Sequence, residues 1–481
     1  MNNFMTLISR HCACALVLTA TLVSGIAATQ SKPAAGPGGT GRELKVELSQ
    51  PGQATAHGPD LKKQRELLTL IQSDVPKSQK VVACKLLTIH GTAEAVPVLA
   101  PLLNDPQMAS WARIALEAIP NQASVAALRD AMDKLEGNLL IGVINSLGER
   151  RDDKAIPALA KRLEDANPDV ASAAAVALGK IGGSSAAKHL QRALSRGPEA
   201  IRPALAEGCV RCAENFLADG DDAQARKLYD AVREGRVPRN KMMEATRGAI
   251  LARGDRGIPM LLEELRATDK DRFSVGLRTA RELPGRKATE AIAAEVGLCP
   301  EARQPLIFLA LADRRDPAAL PTVMQAAKTG SKELRLVAVT VLERLGTLGS
   351  VPVLVDVATS PDAGLSQAAL NALTRLTVDG VEADLVSRLT KSSGREREVL
   401  VRVAGQRRLM GGLDQILNSA ENPDAGVRAA AFQALGRIAT DRQLPGLVRL
   451  LASAKDAKDK AGIETALLAI SGRVPASVKH M

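Results

Sequence analysis

The chain has 481 residues, 46% hydrophobic and 24% charged, proportions that belong to a folded chain and exclude an intrinsically disordered one. Aromatic residues make up only 1%, so neither a core of clustered rings nor a row of stacking platforms for nucleic-acid bases is available. Lys and Arg number 64 against 53 Asp and Glu, a net charge of +11 that suits anionic partners without requiring one.

Residues 1–28 read as an export signal. Arg10 lies in a short leading region, an apolar run follows from Ala13 to Val23, and the small residues Gly25, Ala27 and Ala28 offer a cleavage site. The run is shorter than the roughly 20 apolar residues that span a bilayer. Cys12 and Cys14 precede the apolar run instead of following it, which argues against a lipoprotein anchor. No later stretch reads as membrane-spanning. The mature chain is therefore expected in the periplasm or outside the cell, where nucleic acid is a poor partner. An acidic protein, an acidic polysaccharide or anionic lipid headgroups are better ones. Residues 29–59, rich in Gly, Pro, Ser and Thr, read as a flexible linker.

From Asp60 onward helical patterning is nearly continuous, broken every 12–18 residues by Gly, Pro, Asn or Asp. An apolar residue followed by proline recurs at Val96-Pro97, Ile156-Pro157, Ile258-Pro259, Leu320-Pro321, Val351-Pro352 and Leu444-Pro445, mostly at multiples close to 31. The interval from Pro157 to Pro259 is longer and fits three slightly extended units. Gly148 and Gly179, read as closing second helices, repeat the period of 31, and Gly346 to Gly436 spans 90. Two markers with one period define a repeat array. Each unit reads as two short helices. The first carries proline in its first turn, where no intrahelical bond is lost. The second is opened by Asn or Asp and closed by Gly. Ala173, Ala174 and Ala177 would let helix axes approach closely while Val170, Leu178 and Ile181 fill the groove.

The stretch "AIPALAKRLEDANPDVASAAAVALGKIGG", echoed by "VPVLVDVATSPDAGLSQAALNALTRL" and "QILNSAENPDAGVRAAAFQALGRIA", resembles HEAT repeats of the short bacterial, phycobilisome-lyase-type kind. The resemblance implies an all-α fold, a right-handed α-solenoid of about thirteen helical hairpins over residues 60–473, with 474–481 as a tail. It also implies a concave face built from second helices, the usual place for a partner. Residues 205–235 depart from the pattern. The spacing of Ala213, Phe216, Leu217, Gly220, Ala225 and Tyr229 looks like a tetratricopeptide hairpin and predicts a bend or a longer unit there.

Candidate chemistry is sparse. Cys209-x-x-Cys212 lacks the following His of a haem site, since Ala213 stands there, and only Cys84 and Cys299 could complete a zinc site in the mature chain. Two cysteines at i and i+3 share one helix face as small buried residues; a disulfide is the alternative. The five histidines, at 11, 57, 90, 189 and 480, form no cluster, and none is followed by Glu. HEAT-like iron hydroxylases bind metal through His-Glu pairs, so the sequence departs from that class at its essential residues. His90 beside Gly91 reads as a helix-end residue, and Asp152-Asp153 and Asp221-Asp222 read as helix-start acids. No cofactor is implied.

Second helices carry arginines at Arg113, Arg247, Arg278, Arg335, Arg402 and Arg428, with intervals of 31 from Arg247 to Arg278 and 93 from Arg335 to Arg428. HEAT repeats often use such an arginine to tie the turn, as Asp424 near Arg428 suggests. Arginines lining the concave face would instead receive carboxylate or sulfate groups. Residues 385–481 hold 16 Lys and Arg against 9 Asp and Glu, concentrated in "GREREVLVRVAGQRRLMGG" at 394–412. That excess reads as a solvated helix face or an anion-binding end. Trp111, the single tryptophan, reads as core. The resulting expectation is a non-catalytic, protein-binding scaffold of the cell envelope, a monomer or a subunit of a hetero-complex. Its candidate contact residues are Arg113, Asn145, Arg247, Arg278, Arg335 and Arg402. The alternatives are a HEAT-like lyase or hydrolase acting on an anionic substrate and a charge-driven binder of acidic envelope polymers.

Overall fold

The computed structural model describes residues 58–473. The expected export signal, nearly all of the linker and the C-terminal tail lie outside the described residues. Within them the chain is all helix, with no strand. The helices pair in sequence. They are α1 and α2 (Leu61–Gln72, Lys77–His90), α3 and α4 (Val96–Leu99, Ala109–Ala118), α5 and α6 (Gln122–Met132, Gly137–Glu149), and α7 and α8 (Ile156–Arg162, Pro168–Ile181). There follow α9 and α10 (Gly183–Arg196, Arg202–Ala218), α11 and α12 (Asp222–Glu234, Arg239–Leu251), and α13 and α14 (Ile258–Arg266, Lys270–Glu282). Next come α15 and α16 (Arg286–Glu295, Gln304–Arg314), α17 and α18 (Leu320–Thr329, Lys332–Leu345), and α19 and α20 (Val351–Ala358, Ala363–Arg375). The last are α21 and α22 (Val381–Lys391, Gly394–Arg407), α23 and α24 (Leu413–Ser419, Ala425–Ile438), and α25 and α26 (Leu444–Ser453, Ala457–Arg473). These are thirteen hairpins, the number expected for residues 60–473.

The recurrent prolines do the expected local work. Each of the six follows a short 3-10 turn and occupies the first turn of α3, α7, α13, α17, α19 or α25. Asn167, Asp269, Asp362 and Asp424 cap α8, α14, α20 and α24 through their side chains. The long proline interval is explained by the α9–α10 unit, whose second helix runs to 17 residues and packs against both α8 and α11.

The glycine marker divides into two roles. Gly346 ends α18 as a cap, whereas Gly148, Gly179 and Gly436 lie inside the last turns of α6, α8 and α24, where neighbouring helices press against them. A Cβ on Gly148 would meet the Ala177 Cα at 2.9 Å, and one on Gly179 would meet the Gly208 Cα at 2.6 Å. Ala174 and Ala177 are buried here, with Val170 and Leu178 beside them. Small residues set the spacing of the stack, which removes the need for aromatic filler.

Every second helix packs against the next along the whole described chain, while several consecutive first helices barely touch. A stack with one tight row and one splayed row bends toward the tight one, so the second helices form the inner row. No helix of the described residues is long and apolar enough to cross a membrane.

The aspartate caps make stability depend on acid. Asp269 is held below the usual carboxylate range by the Arg272 N–H and Arg239, and Asp362 by Lys332 and the Leu365 N–H. A carboxyl whose folded pKa is lowered contributes stability that is full above its unfolded value of about 4 and is lost as pH falls through the folded one. The thermal midpoint should therefore hold steady down to about pH 5 and drop below about pH 4. A midpoint unchanged at about pH 3 would show that these caps contribute nothing.

Candidate functional site

The inner row is where the chain presents a long unbroken surface, and its arginines fall into three sets by what they touch. The first set faces outward from the row. Arg247 donates through Nε to Glu282 at 2.5 Å, and Arg278 reaches the same carboxylate at 3.2 Å. Arg402 pairs with Glu398 at 2.6 Å. Asn145 is half-buried on α6 in the equivalent stretch. Ion pairs of this kind run from unit to unit: Lys180 with Glu149, Arg281 and Arg344 with Asp313, and Arg375 with Glu343. Each is partly exposed and contributes little alone, but together they give the row a mosaic of paired charge.

The second set ties turns, as the notion of a structural arginine predicts. Arg335 sits near the start of α18 and donates through Nε to the Ala327 carbonyl at 2.9 Å. Arg428 donates to the carbonyls of Asn422 and Pro423 and to Asp459 of the next hairpin, not to Asp424. Arg397 reaches the Leu389, Ser392 and Gln415 carbonyls. Arg113 ties no turn: it bonds Ser146 Oγ at 2.8 Å and Glu117 at 3.4 Å, joining α4 to α6. Arg335 and Arg113 are thus engaged inside the protein.

The third set is absent from the sequence reading. Arg150, Arg314, Arg407 and Arg473, at the ends of second helices, reach back to carbonyls at the end of the preceding second helix. Arg407 donates to the Leu373, Thr374 and Leu376 carbonyls at 2.9–3.0 Å. Asn215 takes the same role toward Gly179 and Lys180. Helix ends leave carbonyls without partners, and a cation there is favourable on both counts. The readable signal is a doublet: in Arg150-Arg151, Arg314-Arg315 and Arg407-Arg408 the first residue clamps and the second takes a left-handed conformation, with φ 50°, 54° and 57°. The basic run at 394–412 is therefore in large part structural, since Arg397 and Arg407 both serve the fold.

The remaining candidates resolve locally. Cys84, Cys209, Cys212 and Cys299 are free and buried. Burial pushes Cys84 up to about 11 and Cys212 up to about 12, and raises Cys209 and Cys299. The shared-face reading of Cys209 and Cys212 holds, with no bond between them. Because thiolate is the reactive form, all four thiols should resist iodoacetamide in the native protein and react on unfolding, as peptide mass spectrometry would register. Rapid native labelling of Cys209 would contradict the packing of α10. His90 accepts through Nδ1 from the Asp60 N–H at 3.4 Å. Asp221 caps α11, but Asp152 departs from the expected capping role: its carboxylate takes Arg129 at 3.1 and 3.2 Å instead. Trp111 is half-buried against the first units, with the Lys85 ammonium 4.5 Å from its ring centroid. Among the described residues no three His, Cys, Asp or Glu side chains gather as metal ligands.

The family model for HEAT repeats matches residues 136–208, 298–374 and 382–467. The chain thus carries HEAT repeats. The intervening α11–α15 and the leading α1–α5 continue the same helix pairing, so the paired-helix architecture extends beyond the matched segments. Among curated proteins none matches the chain. Of solved structures, Kap121p is similar over 85% of this chain and 53% of its own, at 12% identity and TM-score 0.43. The HEAT-repeat chain thus spans about half the length of Kap121p. Kap95p bound to RanGDP is similar over 85% of this chain and 66% of its own, at 11% identity and TM-score 0.43. Human deoxyhypusine hydroxylase in complex with glycerol is similar over 53% of this chain and 96% of its own, at 21% identity and TM-score 0.26.

Proposed function

We propose that this HEAT-repeat chain is a non-catalytic scaffold of the bacterial cell envelope that binds another protein along its inner row. The observation that carries the reading is the inner row itself. Its charges pair between neighbouring hairpins over many units and do not converge on one reacting centre. Such a surface offers shape and alternating charge to an elongated polar partner, which exchanges the existing pairs for its own. Arg247, Arg278, Arg402 and Asn145 are the contact residues this reading retains, because the three arginines keep 30–68% of their side chains exposed beside their ion pairs, whereas Arg335 ties a turn carbonyl and Arg113 is the more buried link between α4 and α6. Export rests on residues 1–28 and is checked by N-terminal sequencing of the chain from an envelope fraction.

The test is affinity capture from that fraction with the chain from Thr29 as bait, at low and high salt, followed by binding of the identified protein to the purified chain. Retention of one protein at both salt concentrations, weakened by Arg278→Glu, supports the scaffold. Capture of acidic polymers only, and only at low salt, replaces it with the charge-driven envelope binder.

A further inference from the structure

The inner row contains one built cleft near its C-terminal end, across α20, α22 and α24. Its volume is about 180 Å³, and Gln367, Arg402, Gln406, Gln433 and Arg437 line it. The floor is fixed by backbone contact, because a Cβ on Gly405 would lie 2.7 Å from the Ala434 Cα. The cleft, at about 180 Å³, is smaller than the roughly 300–1,000 Å³ of small-molecule pockets, a size that suits a single side chain.

Its electrostatics are unbalanced. Glu398, almost wholly buried, is shared by Arg395 and Arg402, each at 2.6 Å. Two guanidiniums thus answer to one carboxylate. Arg402 Nε is buried with no hydrogen-bond partner among the described residues. Arg437, exposed at the end of α24, has no carboxylate partner among them. The amides add donors. Gln406 accepts from Thr374 Oγ1 at 2.6 Å through its oxygen, which leaves its NH₂ turned to other use, and Gln433 is exposed.

We infer that this cleft receives the carboxylate side chain of a Glu or Asp in a protein segment laid along the inner row. The inference rests on the scaffold reading and names the chemistry of its partner at one place. Arg437 and Arg402 supply the charge, and a planar guanidinium matches a carboxylate through two parallel donors. The flanking amides can both donate and accept, which fits the main chain beside the acid. A sulfated or uronic polysaccharide would meet the same charge, and heparin binding is the outcome of the test that separates the two.

The test uses the full mature chain and a peptide array with central Glu or Asp flanked by randomised positions, against a matched array with Gln or Asn at the centre. The expected result is at least a tenfold stronger signal on the acidic array. That preference should vanish in Arg437→Glu with an unchanged thermal midpoint, and survive in Arg449→Glu on the outer α25. Equal signals on the two arrays would overturn the inference, as would an acidic preference that Arg437→Glu leaves intact. So would heparin binding that depends on Arg437 while array binding does not. If a captured partner still binds Arg437→Glu with wild-type affinity, the cleft assignment fails and the scaffold reading stands. If no protein partner binds the wild-type chain at all, it is the scaffold reading that fails.

Discussion

Arg314→Met is expected to cost about 3 kcal/mol, because it removes a charged donor from several buried acceptors at once. The Arg314 guanidinium donates to the carbonyls of Ala280, Leu283 and Gly285 and to Thr289 Oγ1. Those carbonyls end α14 and lead into α15, so one side chain holds the junction between two hairpins. Burial lowers its pKa from the ordinary value, a sign of how far it is withdrawn from water, yet a guanidinium stays charged. Arg314→Lys should recover only part of the loss, since an ammonium is a point charge that cannot span three carbonyls. In a repeat array stability is a sum of local and neighbour terms, so the effect should concentrate near the clamp. Hydrogen exchange of the amides around residues 280–290 reads it directly. Protection equal to wild type in Arg314→Met would show that water replaces the guanidinium without loss.

The hairpins were legible because the rules that make them are local. A proline in the first turn of α7 or α19 and an Asn or Asp before α8 or α20 act within four residues of themselves, and their recurrence gives the period. The roles of the arginines were not, because a shared interval places residues on a common face only within one register. Arg247, Arg278 and Arg402 differ by multiples of 31 and share the inner face. Arg335 and Arg428 share the same interval with each other, but they start from a different point on the helix. Each residue turns the helix by about 100°, so this second register points at the preceding turn. The clamps were hidden for another reason. Arg407 finds its carbonyls 31–34 residues back in the chain, and the arginine doublet marks the clamp without saying where its partner lies. The cleft across α20, α22 and α24 depends on three helices at once and could not be read from any one of them.

Gly179→Ala should destabilise the chain by about 2–3 kcal/mol, although the same change in an open helix is stabilising. Glycine inside a helix is unfavourable relative to alanine by roughly 1 kcal/mol, so a site that keeps it needs a reason. At Gly179 the reason is contact between backbones. An added Cβ would fall within 2.6 Å of the Gly208 Cα, and a Cβ on Gly208 would fall 3.1 Å from the Ala175 carbonyl carbon. Neither neighbour is a flexible side chain that could swing aside, so α8 and α10 must separate, and the buried Leu178, Cys209 and Cys212 lose contacts with them. Gly446 in α25 supplies the control, because nothing lies within 4 Å of a Cβ placed there. Gly446→Ala should stabilise by up to about 1 kcal/mol. Urea unfolding of the two variants should therefore move in opposite directions from one chemical change. The local readout is the Cys209 thiol beside Gly208, which should become reactive in Gly179→Ala and stay inert in Gly446→Ala. If both variants gain stability, the helices have room that the backbone contacts deny, and the spacing of the inner row is set by something other than its glycines.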